Sequence, residues 1–206
     1  MDSIIFDLDG TLWNSIDTVL VAWNSILKDH PKIERELTKK DFGSTMGLQI
    51  QEIGRMLFPS LNEEEQKQLL KECCTLETEH LERKGGALYD NIEHVLETLS
   101  KKYKLYIVSN CQDGYIEAFY KFHKLEKYFI DYENPGRTGL SKGENIKLVM
   151  ERNNLSSPVY VGDTEGDRQA AKHAGIPFVY ARYGFGQVED FDFAISRFDE
   201  LLDLFL

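Results

Sequence analysis

What most restricts the fold of this chain is a rhythm of short apolar, β-prone runs. Each stops at a small, polar or acidic residue, and helical patterns fill the gaps between them. Ile4-Ile5-Phe6 runs into Asp7, Leu105–Val108 into Ser109-Asn110, and Pro158–Val161 into Gly162-Asp163. Further strands are expected at Tyr128–Tyr132 and Phe178–Ala181, and a closing strand–helix pair within Phe193–Phe205. Ile92, Val95, Leu96 and Leu99 mark one helix; others are expected over about 113–122, from Ser141 through Arg152, and over about 165–174. Short runs this apolar suit strands buried on both faces, and strands separated by helices pair in parallel. The expectation is an α/β chain, a doubly wound parallel sheet with helices on both faces.

One stretch breaks the rhythm: residues 14–84 hold no convincing strand. Ile16, Val19, Leu20, Trp23, Ile26 and Leu27 recur at helical spacing, giving a helix over about 15–28 that His30-Pro31 ends. Weaker helical spacing follows near 47–57. A stronger pattern spans 63–83, where Leu69, Cys73, Leu76 and His80 share one stripe. Gly85-Gly86 closes the segment and has the backbone freedom a hinge requires. The reading is a core of residues 1–13 and 87–206, with a small all-helical domain, 14–86, inserted after the first strand.

Charge narrows the function classes. The chain holds 24 basic and 35 acidic residues, a net charge of −11. Residues 14–86 carry 10 and 13 of them, so −8 of the −11 lies outside the insert. An acidic chain without basic clusters suits neither nucleic acid nor an anionic membrane surface. An anionic substrate would have to be drawn by local cations.

No apolar run approaches the roughly 20 residues that span a bilayer. MDSIIFDLDG carries acids where a signal peptide carries bases, so the expected location is cytoplasmic. Cys73, Cys74 and Cys111 lack metal-ligand spacing and read as small hydrophobes in a reducing compartment. The five histidines are scattered, which speaks against zinc. Arg55 could bind a substrate carboxylate but, alone on an expected helix, reads first as a solvated charge, and Trp13 and Trp23 read as packing residues.

The polar clusters that end the strands carry the chemistry. In an open parallel sheet, ligands bind beyond the carboxyl ends of the strands, so Asp7, Ser109 and Asp163 should converge there. Asp7-Leu8-Asp9-Gly10-Thr11 sets two carboxylates two residues apart. One can attack phosphorus once the phosphate charge is neutralised, and the other can move protons. Gly10 allows close backbone approach to an anion. A surface turn or a calcium-loop fragment has similar letters, but the downstream glutamate of a calcium loop is not at its spacing. Gly162-Asp163-Thr164-Glu165-Gly166-Asp167 adds two carboxylates four apart, suited to a hard cation or simply to a helix N-terminus.

Taken in order, DLDGTL (Asp7–Leu12), VSN (Val108–Asn110), Lys142 in GLSKGENIK and GDTEGD resemble the four motifs of the haloacid dehalogenase-like superfamily. The helical insert resembles the small cap of its phosphoglycolate phosphatase and β-phosphoglucomutase branch. The resemblance implies a Rossmann-like core and a phosphohydrolase. Asp7 would be the nucleophile and a magnesium ligand. Asp9 would be the general acid/base, lending its backbone carbonyl to the metal. Ser109, Asn110 and Lys142 would hold the phosphate, and Asp163 would ligate Mg²⁺ with Asp167 in support. The expected partner is a small phosphorylated metabolite, through an aspartyl-phosphate.

Some positions depart from the family pattern. Asn14 stands where aspartate is common and reads as part of the hinge. Asp90-Asn91 replaces a common Pro-Gly, and no Lys-Pro pair follows Lys142, so Ser141 must start that helix. Gly43–Gly47 reads equally as a specificity loop over the site or as a plain interhelical turn. Tyr183-Gly184-Phe185-Gly186 reads as a turn near the ligand edge. A phosphosugar mutase of the same branch is the nearest alternative, though GSTMG lacks the basic residues it would need. A non-catalytic binding module is the alternative from another class.

Overall fold

A computed structural model describes residues 1–206. β1 (Ser3–Phe6) lies at the centre of the sheet, with Ile4, Ile5 and Phe6 shut off from solvent. It pairs in parallel with β4 (Lys104–Val108) on one side and β6 (Pro158–Gly162) on the other. β5 (Asp131–Glu133) extends the sheet beyond β4, and β7 (Phe178–Ala181) then β8 (Phe193–Ile195) extend it beyond β6. The six strands run parallel in the order β5-β4-β1-β6-β7-β8. The order reverses beside β1, where a doubly wound sheet opens its ligand crevice.

Successive strand residues face opposite sides of the sheet. Ile4, Phe6, Leu105 and Ile107 therefore join one apolar layer, with α5 (Ile92–Ser100), α6 (Tyr115–His123) and α10 (Glu200–Phe205). Ile5, Tyr106, Val108 and Tyr160 join the other, against α8 (Lys142–Arg152) and α9 (Glu165–Ala174). This is the expected α/β sheet.

The insert is helical: α1 (Ile16–Leu27), α2 (Lys39–Gly43), α3 (Ile50–Leu57) and α4 (Glu63–Lys84). Trp23 is buried among its rings, 4.9 Å from Phe42 and 6.3 Å from Phe58 between centroids. α4 packs on α1 and also on α6, so the insert rests against the core.

Several local expectations change. The strand placed at Tyr128–Tyr132 is a 3-10 turn at Glu126–Tyr128 followed by β5. The apolar pair Phe129-Ile130 suggests a strand too early, yet Ile130 is exposed. Arg152 instead anchors the short edge strand, its Nε 2.8 Å from Asp131 and its Nη1 2.9 Å from Glu133. α2 and the four-residue α7 (Pro135–Thr138) went unforeseen, because single turns leave no periodicity.

The two connections to the insert pair with each other. Trp13–Asn14 forms β2 and pairs antiparallel with β3 (Ala87–Leu88), a two-residue ribbon. A Cβ on Gly85 would lie 2.3 Å from the Phe122 ring, and one on Gly86 2.8 Å from Trp13. Both glycines are thus required by close packing, and Gly85 also by its φ of +64°. Asn91, where the family pattern has glycine, takes the left-handed conformation at φ 63° that asparagine tolerates.

Candidate active site

β1 delivers Asp7 at its carboxyl end, next to the Gly162-Asp163 end of β6, and Asp7 is 2% exposed. Lys142, the first residue of α8, reaches in from beneath. Ser141 does start that helix: its hydroxyl accepts from Glu144 N–H, and Glu144 accepts in return from Ser141 N–H at 2.8 Å. The Lys142 ammonium donates to Asp7 Oδ1 at 2.8 Å and to Asp167 Oδ1 at 2.5 Å. Burial alone would lower the Lys142 pKa, but Asp167 and Asp7 overcome it and the group is held cationic. Desolvation pushes Asp7 up while Lys142 and a hydrogen bond from Ser109 pull it back.

Asp167 is spent on structure. Its Oδ2 accepts from the N–H groups of Asp163 (3.1 Å) and Thr164 (2.9 Å) and from the Thr164 hydroxyl (2.7 Å). It therefore shapes the turn after β6 and positions Lys142 at once. Asp163 is fully buried. Its Oδ2 accepts from Phe185 N–H at 2.6 Å, whereas its Oδ1 has no hydrogen-bond partner. Ligand atoms of Asp7, Asp163 and Asp167 lie within 4.8 Å of one another.

This donor set fits a hard divalent cation. It is all oxygen and anionic, with one buried oxygen that nothing else satisfies. Gly10 and Gly184 make room for the Asp163 side chain, since a Cβ on either would sit 2.2–2.3 Å from its atoms.

Asp9 is arranged differently. Its Oδ1 accepts from Ser15 Oγ at 2.5 Å and from Tyr115 OH at 3.0 Å, leaving Oδ2 to carry a proton. Burial raises its pKa to about 7, opposed by the Ser15 hydrogen bond and helped by the Asp7 charge. A carboxyl poised there can give and take protons near neutrality. Ser109 is buried at the end of β4. The Asn110 amide donates to the Gly47 carbonyl at 2.8 Å, so this core loop is bonded to the insert.

The insert closes the space above. Thr45, Met46, Gly47 and Leu48 line the same cavity as Asp7, Asp9, Ser109 and Lys142. The two readings of Gly43–Gly47 are thereby separated: its latter half faces the site. The cavity is small, about 60 Å³. Arg55 lies outside it, exposed.

Residues that sequence reasoning passed over complete the site. Ser15 looks like a helix cap, yet its hydroxyl makes no capping bond and goes to Asp9 instead. Asn14 Oδ1 accepts from the Ile16 N–H in its place, at 3.1 Å. Tyr115 carries no sequence signal. The Tyr183–Gly186 turn does more than pass the ligand edge, because Phe185 N–H holds Asp163 and Tyr183 OH donates to the Thr11 carbonyl at 2.9 Å. Its alternating glycines were the available clue.

With this geometry in hand, the relatives are informative. The model of the family described as haloacid dehalogenase-like hydrolase matches residues 4–181. A phosphoglycolate phosphatase of Vibrio parahaemolyticus is 26% identical over 218 residues, covering 98% of this chain and 94% of its own. One from Aquifex aeolicus is 29% identical over 218 residues, covering 99% and 96%. Among solved structures, a haloacid dehalogenase-like family protein of Streptococcus pneumoniae superposes with a TM-score of 0.87 at 20% identity, covering 100% of this chain and 99% of that one. At that identity the likeness speaks to fold alone.

Proposed function

The chain belongs to the haloacid dehalogenase-like hydrolases, and from that premise we propose that it is a magnesium-dependent phosphatase of small phosphate monoesters. The phosphatase names of its relatives support the reaction class. The observation that carries the mechanism is the line Asp7–Lys142–Asp167 beside the unpartnered Asp163 oxygen. It offers a nucleophile, a fixed positive charge and an empty oxygen donor at one sheet edge.

In the first step an Asp7 carboxylate oxygen attacks phosphorus and the bond from phosphorus to the ester oxygen breaks. Asp9, protonated through its raised pKa of about 7, gives its proton to the departing alkoxide. In the second step water attacks the aspartyl-phosphate, Asp9 takes its proton, and inorganic phosphate leaves with Asp7 restored. Lys142 would hold its charge against the phosphoryl oxygens, and Ser109 with Asn110 would donate to them. Asp7, Asp163 and the Asp9 carbonyl would hold Mg²⁺, with Asp167 orienting Asp163. The ion would supply the charge neutralisation that lets one carboxylate approach a phosphate.

The helices of residues 14–86 would act as the cap that shields these steps from bulk water, and the Asn110–Gly47 bond ties that insert to the core loop beside Ser109.

Phosphate release from p-nitrophenyl phosphate, with Mg²⁺, after exhaustive chelation and after Mg²⁺ is returned, tests the reading. Release should vanish on chelation and recover with Mg²⁺; Ca²⁺, with longer bonds, should replace it poorly. Full activity in the chelated enzyme would exclude the metal, and no Mg²⁺-dependent release from p-nitrophenyl phosphate or from any of a panel of small phosphate monoesters would exclude the phosphatase.

A further inference from the structure

One acidic side chain of the cavity takes no part in these steps. Glu77, on α4, is only 5% exposed and lines the same cavity as Asp7 and Asp9, from an element of the insert. Its Oε2 accepts from the Trp23 indole N–H, and its Oε1 from the Gln112 amide at 3.0 Å. Both donors are neutral, and no Lys, Arg or His pairs with this carboxylate anywhere in the chain. Burial raises its pKa to about 7, with those two hydrogen bonds opposing and the Asp9 charge adding. A carboxylate held out of water without a counter-charge costs stability, and two bonds from neutral groups do not cancel that cost.

The rest of the cavity sharpens the point. Lys142 is its sole cation, and that ammonium already lies between Asp7 and Asp167. The bound phosphate would use what charge remains there. Beside Glu77 the wall is aromatic, with Trp23, Phe42 and Tyr115 lining the same space. A buried carboxylate among aromatic rings is the chemistry that receives an organic cation, through ion pairing and attraction to ring faces. It is the wrong chemistry for a second carboxylate, which would meet Glu77 with no cation to separate them.

We propose that Glu77 is a specificity residue, and that the substrate is a small phosphate monoester whose alcohol carries an ammonium group, seated against Glu77 and the aromatic wall. This rests on the phosphatase reading for the position of the phosphate. It departs from the named activity of the relatives, because glycolate carries a carboxylate in that place.

Binding separates this proposal from the question of turnover. Four probes differ only at the far end: phosphoethanolamine, phosphocholine, 2-hydroxyethyl phosphate and phosphoglycolate. Each is titrated calorimetrically, in Mg²⁺, into the full chain carrying Asp7→Asn, with and without Glu77→Gln or Glu77→Asp. At least one ammonium ester should bind about tenfold or more tightly than the hydroxyl ester, with phosphoglycolate weakest. Phosphoethanolamine against phosphocholine then reports whether a primary or a quaternary ammonium is preferred. Glu77→Gln should bring the ammonium and hydroxyl esters to within about twofold, and Glu77→Asp should keep part of the preference.

Equal binding of ammonium and hydroxyl esters, no binding of any probe, or a preference that survives Glu77→Gln would each overturn the proposal. In those cases Glu77 merely bridges cap and core through Gln112. Release of phosphate from p-nitrophenyl phosphate by the wild-type chain does not depend on which probe binds, so the phosphatase reading stands or falls separately.

Discussion

The core edge and the cap wall meet across one cavity, yet they hold their buried carboxylates by opposite means. On the core side Asp7 and Asp167 share the Lys142 ammonium, and Asp163 is gripped by a backbone N–H while one oxygen stays free. On the cap side Glu77 has only an indole and an amide. A charge paired in the interior is costly to break, whereas a charge without a counter-ion is costly to keep. The core thus fixes a reaction for any phosphate, and the cap holds an unsatisfied charge that a substrate can satisfy. On the proposals above, chemistry and selectivity are separated by which side of the cavity supplies the group.

The largest effect expected from breaking that division is on the core side. Asp7→Asn should reduce turnover by about 10⁴-fold or more while far-UV circular dichroism and cooperative unfolding persist. Near-wild-type rates would sink the covalent mechanism. Asp9→Asn should cost about 10²–10⁴-fold in kcat/KM with an alkyl phosphate and far less in the initial burst of p-nitrophenolate, whose departure needs no proton. Steady-state turnover of both should fall, because the second step still needs the Asp9 base. For the alkyl ester, kcat/KM should fall as pH rises through about 7, where Asp9 loses its proton. A flat profile there would remove Asp9 from the acid role.

The next two predictions oppose each other in sign. Lys142→Met leaves Asp7 and Asp167 buried without their cation, and urea unfolding at pH 7 should show a loss of about 3–5 kcal/mol. Glu77→Gln should do the reverse as pH rises. The folded pKa of Glu77, about 7, lies above its ordinary value of 4.5. The native state therefore binds more protons in that window, and wild-type stability present below 4.5 is lost as pH climbs through 7. The stability difference should move by roughly 2–3 kcal/mol in favour of Glu77→Gln between about pH 5 and pH 8. An unchanging difference would mean that Glu77 is already paired, and the contrast between the two walls would fail.

A smaller effect is expected at the metal side of the core. Gly184→Ala would place a Cβ 2.3 Å from Asp163 and must push that carboxylate aside. The Mg²⁺ concentration for half-maximal activity should rise about 10–100-fold, with the fold intact. An unaltered requirement would show that Asp163 does not hold the ion.

The sheet was legible because its strands are buried on both faces and end at residues with few other uses in such a place. Asp7, Ser109 and Asp163 could be brought to one edge from that pattern alone. The role of Lys142 came from the resemblance, since a single lysine has no local signature, whereas the proton-moving role of Asp9 was already readable from the paired carboxylates. Ser15 was hidden by its position, because a serine before a helix reads as a cap and here serves Asp9. The Gly85-Gly86 pair was legible only as freedom. In the folded chain it is crowding by Phe122 and Trp13 that excludes any side chain there.

By itself the sequence determined the alternation of strands and helices, the helical insert and the acidic clusters at strand ends. Each of these is written in spacings of about two to four residues, the range over which backbone geometry repeats. Only the tertiary structure decided which groups surround the carboxylates. Tyr115 reaches Asp9 across 106 residues of chain, Gln112 meets Glu77 across 35, and Phe185 holds Asp163 across 22. Contacts at such separations follow from how layers pack, and no local period encodes them. The charge state of Glu77 depends on burial by that packing, so a selectivity role for it could be proposed only once the chain was folded.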